Sequence, residues 1–163
     1  MDKICLSGYI PGAIGRITEL HATYYHRNWN FGLFFESKVA GGLCEFLNRF
    51  DPARDLFRVA LHEDRIIGSI AIDGSKADSI GAHLRWFILS SEYQGTGIGS
   101  RLIRAALDFC RTCGFRRVYL STFAGLNAAR HLYEKNGFVL CKEIEGSQWG
   151  LSVTEQEFEL LIN

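Results

Sequence analysis

The sequence predicts an α/β (α+β) fold, and three observations carry that reading. β-rich runs alternate with runs of helical periodicity along the chain. A glycine-rich hexapeptide, Gln94-Gly95-Thr96-Gly97-Ile98-Gly99, joins one such strand to one such helix. The 163 residues contain no internal repeat and suit a single domain, 1–163. A domain of that size buries roughly 70% of its unfolded surface, enough for a core without metal or disulfide staples.

The elements read in the order β-α-α-β-β-β-α-β-α-β-β. Leu6 to Ile10 supplies the first strand, and Pro11-Gly12 introduces a helix from Ala13 to His26, in which Ile14, Ile17, Leu20 and Tyr24 recur at helical spacing. A second helix spans Glu36 to Arg49, with Val39, Leu43, Phe46 and Leu47 on one side and Asp51-Pro52 as its stop. The segment between these helices, Arg27 to Phe35, is aromatic. Phe57 to Leu61 and Ile66 to Ile72 are strands joined in a hairpin by His62-Glu63-Asp64-Arg65.

After the loop Gly74 to Ser79 comes a fourth strand, near Ala82 to Leu89, then the glycine-rich hexapeptide. An amphipathic helix follows, carrying Leu102, Ile103, Ala106, Leu107 and Phe109 to Cys113, and Gly114 ends it. Val118 to Thr122 is a fifth strand, and Asn127 is expected to cap the fourth helix. Val139 to Ile144 and Val153 to Leu161 are the closing strands.

Composition narrows the function. Hydrophobic residues make up 47%, charged residues 22%, and the formal net charge is zero. Beyond short groups such as Arg111, Arg116 and Arg117 there is no basic block to neutralise phosphates, so no nucleic-acid partner is expected. The apolar windows fall short of the roughly 18 residues of a membrane span, and the N-terminus lacks a secretory pattern, so the expectation is a cytoplasmic protein with no membrane partner. Five cysteines, an odd number, suit a reducing compartment. Cys110 and Cys113 form a C-x-x-C at a helix end, where the dipole disfavours thiolate, and no second pair completes a zinc site; no metal is expected.

The glycine-rich hexapeptide reads as an anion cradle. Glycines at alternate positions permit φ > 0 and close approach to a ligand, while the following helix points unpaired N–H groups at the same place, where a phosphate or pyrophosphate fits. A dinucleotide fingerprint does not fit: the third glycine of G-x-G-x-x-G comes one residue early, and no Asp or Glu ends the next strand. Further along, Asn127-Ala128-Ala129-Arg130-His131-Leu132-Tyr133-Glu134-Lys135-Asn136-Gly137-Phe138 reads as a short helix closed by Asn-Gly and followed by a strand.

Together the two segments resemble the GNAT superfamily of N-acetyltransferases. Gln94, Gly97 and Gly99 match its Q/R-x-x-G-x-G/A signature. Asn127, Tyr133, Gly137 and Phe138 match its N-x-x-A-x-x-x-Y-x-x-x-G-F pattern, with the small-residue position shifted to Ala128 and Ala129. The resemblance spans Tyr9 to Leu161 and implies a central mixed, mostly antiparallel sheet of about seven strands flanked by about four helices.

The activity it implies is acetyl transfer from acetyl-CoA to a primary amine, by direct attack in a ternary complex. The pyrophosphate would sit on the backbone N–H groups of Gly95, Thr96, Gly97, Ile98 and Gly99, with the Ser100 hydroxyl beside them. The pantetheine arm would add like a strand along the backbones of Phe87 and Leu89, with Asn127 on its other side. Tyr133 is the expected proton donor to the departing thiolate; packing in the core is the competing reading. A glutamate often serves as base on the fourth strand, and here that position is His83; Glu92 and ordered water are the fallbacks.

Arg85 shares the strand face of His83 and is placed to lower its pKa or bind an acidic group on the acceptor. Among Tyr24, Tyr25, Trp29, Asn30 and Phe31, Trp29 is the expected exposed residue on the acceptor side and Tyr24 a packing residue. Gln148-Trp149-Gly150 is expected to approach the same side. The acceptor is a small-molecule or protein amine, and the edges of the closing strands allow a homodimer. The alternative is a non-catalytic acyl-CoA-binding sensor or scaffold on the same fold.

A narrower, bacterial-like resemblance rests on Gly81 to Phe87, Thr122 to Leu126 and Val153 to Leu160. These look like the acetyltransferase half of bacterial proteins that fuse a MarR-type winged helix to a GNAT domain.

Overall fold

The computed structural model describes residues 3–163. Seven strands form one sheet in the order β1-β2-β3-β4-β5-β7-β6. β1 (Cys5–Ser7), β2 (Leu56–His62), β3 (Arg65–Asp73) and β4 (Ala82–Leu89) are antiparallel neighbours. β4 meets β5 (Arg117–Phe123) in parallel, and β7 (Val153–Leu161) lies antiparallel between β5 and the edge strand β6 (Val139–Gly146). Four helices flank the sheet: α1 (Ala13–Trp29), α2 (Leu33–Asn48), α3 (Ile98–Thr112) and α4 (Asn127–Lys135). The element order and the mixed, mostly antiparallel sheet agree with the sequence reading.

Several boundaries differ, each for a local reason. β1 stops at Ser7, where its register against Val59 ends, instead of running to Ile10. α1 continues past His26 to Trp29 and closes at Asn30, whose φ of 60° and N–H bond to the His26 carbonyl form a left-handed cap. α2 starts at Leu33, so the aromatic segment is mostly helical, with Phe31 and Phe35 buried. α3 begins at Ile98, inside the glycine-rich segment. Asn127 does not cap α4: Leu126 is the N-cap, no side chain bonds there, and Asn127 is the first helical residue. The β2–β3 hairpin forms as expected, with Glu63 and Asp64 at φ 48° and 63°, the pair of left-handed residues that a two-residue loop requires.

Two apolar layers cover the sheet. Leu102, Ile103, Ala106, Leu107 and Cys110 of α3 pack with Tyr133 of α4 against Ile70, Ile72, Leu84, Val118, Leu120 and Phe158. On the other face Ile17 and Leu20 of α1 and Phe35, Val39, Leu43 and Phe46 of α2 cover Phe57, Val59, Ala71, Ile88 and Phe123. Each such aliphatic or aromatic side chain contributes about 1.5–3 kcal/mol on burial. The C-x-x-C belongs to the first layer: burial pushes the Cys110 thiol up to about 12, keeping it protonated.

β4 is irregular where the site forms. Leu84 packs on the α3 face yet Trp86, two residues on, packs on the α1/α2 face, which breaks the two-residue alternation of a strand. The cause is a bulge: pairing with β3 passes from Ser69↔Ile88 to Ala71↔Arg85, so Trp86 and Phe87 oppose Ile70 alone. Trp86 takes φ 48°, and its carbonyl accepts the Ser69 hydroxyl at 2.7 Å. β4 and β5 pair only at Ala82↔Val118 and His83↔Tyr119, then separate. The rest of β4 therefore has no ladder partner on its β5 side, and the cavities described next open along that gap.

Candidate active site

The glycine-rich segment leads into α3. Ser91–Tyr93 make a 3₁₀ turn, Gln94 leaves it extended, and Gly95 and Gly97 follow at φ 77° and 87°. A Cβ at either glycine would meet nothing within 4 Å, so the backbone conformation, not crowding by the protein, calls for glycine there, and the loop's outer face is open. Gly97 is the N-cap of α3 and no side chain caps the helix, which leaves its first N–H groups available at the positive end of the dipole. Thr96 turns its hydroxyl back to the Tyr93 carbonyl, and the Ile98 side chain is buried in the core. What remains toward the cavity is backbone, which suits a pyrophosphate.

That cavity, about 560 Å³, runs from Gln94, Gly95, Gly97, Gly99 and Ser100 past Phe87 and Leu89 to Asn127. At Gly99 an added Cβ would come within 3.1 Å of Leu132, so glycine here lets α4 approach α3. A second cavity, about 200 Å³, lies between His83, Arg85 and Phe87 of β4 and Ser121 and Thr122 of β5, roofed by Gln148 and Trp149. The two share Tyr25, Phe87, Leu126 and Ala129 as lining, so they adjoin along those residues.

Tyr133 lines the second cavity from α4, its ring held by Phe87, Phe138 and Phe158 at centroid distances of 5.9, 6.0 and 6.1 Å. Burial, reinforced by the neighbouring Tyr25 phenol, pushes its pKa well above the ordinary phenol value. Its proton therefore stays on at any physiological pH. Tyr25 is raised in the same way.

Two histidines line the same cavity. His83 lies flat on Tyr119, and burial followed by the Arg85 charge lowers it to about 4. His21 was not singled out in the sequence; burial takes it to about 4 despite the opposing bond of Nδ1 to the Ile17 carbonyl at 2.8 Å. With Nδ1 donating to that carbonyl, Nε2 carries the lone pair. Its signal was a polar side chain one turn after Ile17, on the helix face that carries the apolar stripe. Asp73 stands behind Arg85 but is engaged by Arg49, with Nη2···Oδ2 at 2.6 Å.

Other expectations need correction. Trp29 is half-buried and lines neither cavity: its ring packs edge-on against Phe123 at 5.2 Å and beneath Gly125, because α1 runs on far enough to carry it under the α4 entrance. Tyr24 packs as expected, its ring edge-on to Tyr25 at 5.1 Å, and it also lines the larger cavity. Glu92 is exposed in the 3₁₀ turn and lines neither cavity. Lys38, whose Nζ donates to the Gln148 carbonyl at 2.7 Å, lines the second cavity and gave no sequence signal. Among the described residues no helix is long and apolar enough to cross a membrane, and no three His, Cys, Asp or Glu side chains converge as a metal site would require.

Comparison with known proteins agrees with this geometry. Over 88 residues the chain is 31% identical to N-alpha-acetyltransferase 30 of Schizosaccharomyces pombe, a match covering 53% of this chain and 59% of that protein. Over 82 residues it is 35% identical to N-acetylaspartate synthetase of Xenopus tropicalis, covering 50% of this chain and 30% of that protein. A GNAT-family acetyltransferase of Staphylococcus aureus Mu50 superposes with a TM-score of 0.76 at 18% identity, covering 99% of this chain and 100% of the other. The Salmonella typhimurium protein yncA, solved with its cofactor acetyl-CoA, superposes with a TM-score of 0.74 at 14% identity, covering 99% of this chain and 95% of the other. The model of the acetyltransferase (GNAT) family matches residues 14–138, which takes in the β4 bulge, the glycine loop and Tyr133, and the chain belongs to that family.

Proposed function

We propose that this chain is an N-acetyltransferase that moves an acetyl group from acetyl-CoA to an amine by direct attack in a ternary complex. The observation that carries the reading is the junction of two cavities at Tyr25, Phe87, Leu126 and Ala129, one ending on the glycine loop and the other on Tyr133 and two histidines. Relatives named as an N-alpha-acetyltransferase and an N-acetylaspartate synthetase support an amine acceptor.

When bound, acetyl-CoA supplies an activated thioester. The backbone N–H groups from Gly95 to Gly99 and the Ser100 hydroxyl hold its pyrophosphate, with no reorganisation because the α3 dipole is already in place. The β4 backbone at Phe87 and Leu89, free of a β5 partner, pairs with the strand-like arm, and Asn127 faces it from α4. In the transfer an N–C bond forms as the C–S bond breaks, the electron pair leaves on sulfur, and the amine gives up one proton.

Tyr133, protonated at Oη, donates a hydrogen bond to the leaving sulfur; as the thiolate takes that proton, the one shed by the amine returns to the phenol through water, so none is gained or lost. His83, at about 4, is neutral throughout the physiological range, so its free nitrogen accepts a hydrogen bond from the amine and passes the proton to water instead of storing it.

The test is release of CoA thiol with an amine panel, followed by mass detection of the acetylated product. The reading requires both. Binding of acetyl-CoA with no product from any amine would make the chain an acyl-CoA-binding sensor instead.

A further inference from the structure

The smaller cavity is electrostatically one-sided. Lys38 and Arg85 line it, and among the described residues no carboxylate does. The nearby carboxylate is already engaged: Asp73 accepts Arg49 Nη2 at 2.6 Å and Nη1 at 3.3 Å, and Ser75 through its hydroxyl at 2.7 Å and its backbone N–H at 3.1 Å. Arg85 Nη1 stands 3.7 Å from Asp73, near enough for attraction and too far for a hydrogen bond. Two guanidinium groups thus share one carboxylate, and the better bonds go to Arg49.

Arg85 is also fixed in place. Its guanidinium lies 4.0 Å over the Trp86 ring, which the β4 bulge has brought to the same face. Gly42 of α2 presses on the pair: a Cβ there would lie 3.1 Å from Trp86 Cζ2 and 3.3 Å from Arg85 Nη2. Across the cavity, Lys38 is held by the Gln148 carbonyl at 2.7 Å. Glu155, the carboxylate that acts on Lys38, is bonded by Gln148 Nε2 at 2.5 Å and does not line the cavity.

A cationic chain or polyamine entering this space would meet two like charges and no counter-charge. A carboxylate would take up the N–H groups that Arg85 leaves unused, in the planar geometry a guanidinium favours. At about 200 Å³ the cavity has room for a molecule of amino-acid size. We infer, on the footing of the N-acetyltransferase reading, that the acceptor is a small amine carrying a carboxylate, with Arg85 recognising the carboxylate and Lys38 as its second contact.

The experiment compares free amino acids with the same molecules as carboxamides, and with putrescine and spermidine, under saturating acetyl-CoA. The acids are expected to exceed their amides by about ten-fold or more in kcat/KM, the usual size of a charge-assisted bond. Arg85→Gln should abolish that ratio, chiefly through the acceptor KM, with the acetyl-CoA KM kept within about two-fold. Arg85→Lys, which keeps the charge and loses the fork, should restore part of it, and Lys38→Met should lower it less than Arg85→Gln.

The inference is overturned if amides or polyamines match the acids, if the ratio survives in Arg85→Gln, or if no carboxylate-bearing amine is acetylated although acetyl-CoA binds. Absence of acetyl-CoA binding is a separate failure, which removes the N-acetyltransferase reading and this inference together.

Discussion

The imidazole of His83 lies flat against the ring of Tyr119, with centroids 4.5 Å apart and planes 11° from parallel. The two residues form the last rung of the β4–β5 pairing, so the stack holds His83 at the apex of the gap in which the cavities open. Burial there, and then the charge of Arg85, lower its pKa to about 4, with Asp73 pulling the other way.

It follows that kcat/KM should show no inflection from His83 between about pH 6 and 8, where the ring is already neutral. Its pH dependence there should follow the ionisation of the amine acceptor. His83→Ala should lower the rate by a constant factor across this range. An inflection near the ordinary histidine value of about 6.5 that vanishes in His83→Ala would contradict the assignment.

His21 makes stability depend on pH. Its folded pKa, about 4, lies below the ordinary value of 6.5, so between those limits the unfolded chain takes up a proton that the folded chain refuses. Stability is unaffected above that window and falls as pH drops through it, by on the order of 3 kcal/mol for this one group. Denaturant titrations from pH 8 to pH 4.5 should record the fall. His83 adds to it with the same sign, so His21→Gln should flatten the curve without abolishing it. An unchanged slope in His21→Gln would count against a buried neutral imidazole.

Tyr133→Phe removes one hydroxyl and leaves the packing with Phe87, Phe138 and Phe158. Turnover should fall roughly ten-fold or more, the size of a general-acid contribution, with acetyl-CoA affinity little changed. Steady-state kinetics beside equilibrium binding separates the two. Wild-type turnover in the variant would reduce Tyr133 to a packing residue.

Gly97→Ala tests the loop. The added methyl meets no protein atom within 4 Å, but φ is 87°, so the substitution should cost about 1–2 kcal/mol of stability through backbone strain. Because Gly97 lines the larger cavity, the thermal shift produced by acetyl-CoA should shrink by more than this strain explains. Retention of the full shift would place the pyrophosphate elsewhere.

Much of this was legible in the chain. A β-rich run marked β4 near Ala82 to Leu89, and His62-Glu63-Asp64-Arg65 between two such runs marked the hairpin. The helix ends were harder, because α1 closes on the left-handed Asn30 and α2 and α3 open on Gly32 and Gly97, with no side-chain cap on either of the latter. At the site, the glycine loop was legible because its chemistry is local: φ > 0 and a helix N-terminus are properties of consecutive residues.

The second cavity was legible in part: His83, Arg85, Tyr133 and the Gln148-Trp149 pair line it as the sequence suggests, whereas His21 and Lys38 join it only through the tertiary fold. The β4 bulge was hidden too. Trp86 reads as an ordinary strand residue, and only the count against β3 reveals that it and Phe87 face Ile70 alone. Trp29 was misjudged for the same reason: whether an aromatic side chain faces solvent or Phe123 depends on where α1 stops.

The most direct test of the account is thermal unfolding with acetyl-CoA, dephospho-CoA and NAD in parallel. One-site binding at about 100 times the dissociation constant adds about 2.7 kcal/mol, which for a chain of this length raises Tm by roughly 5–10 °C. The account predicts a rise of that size with acetyl-CoA and none with NAD. No rise with acetyl-CoA would mean that the glycine loop is a structural turn, and the proposed acetyl transfer would fall with it.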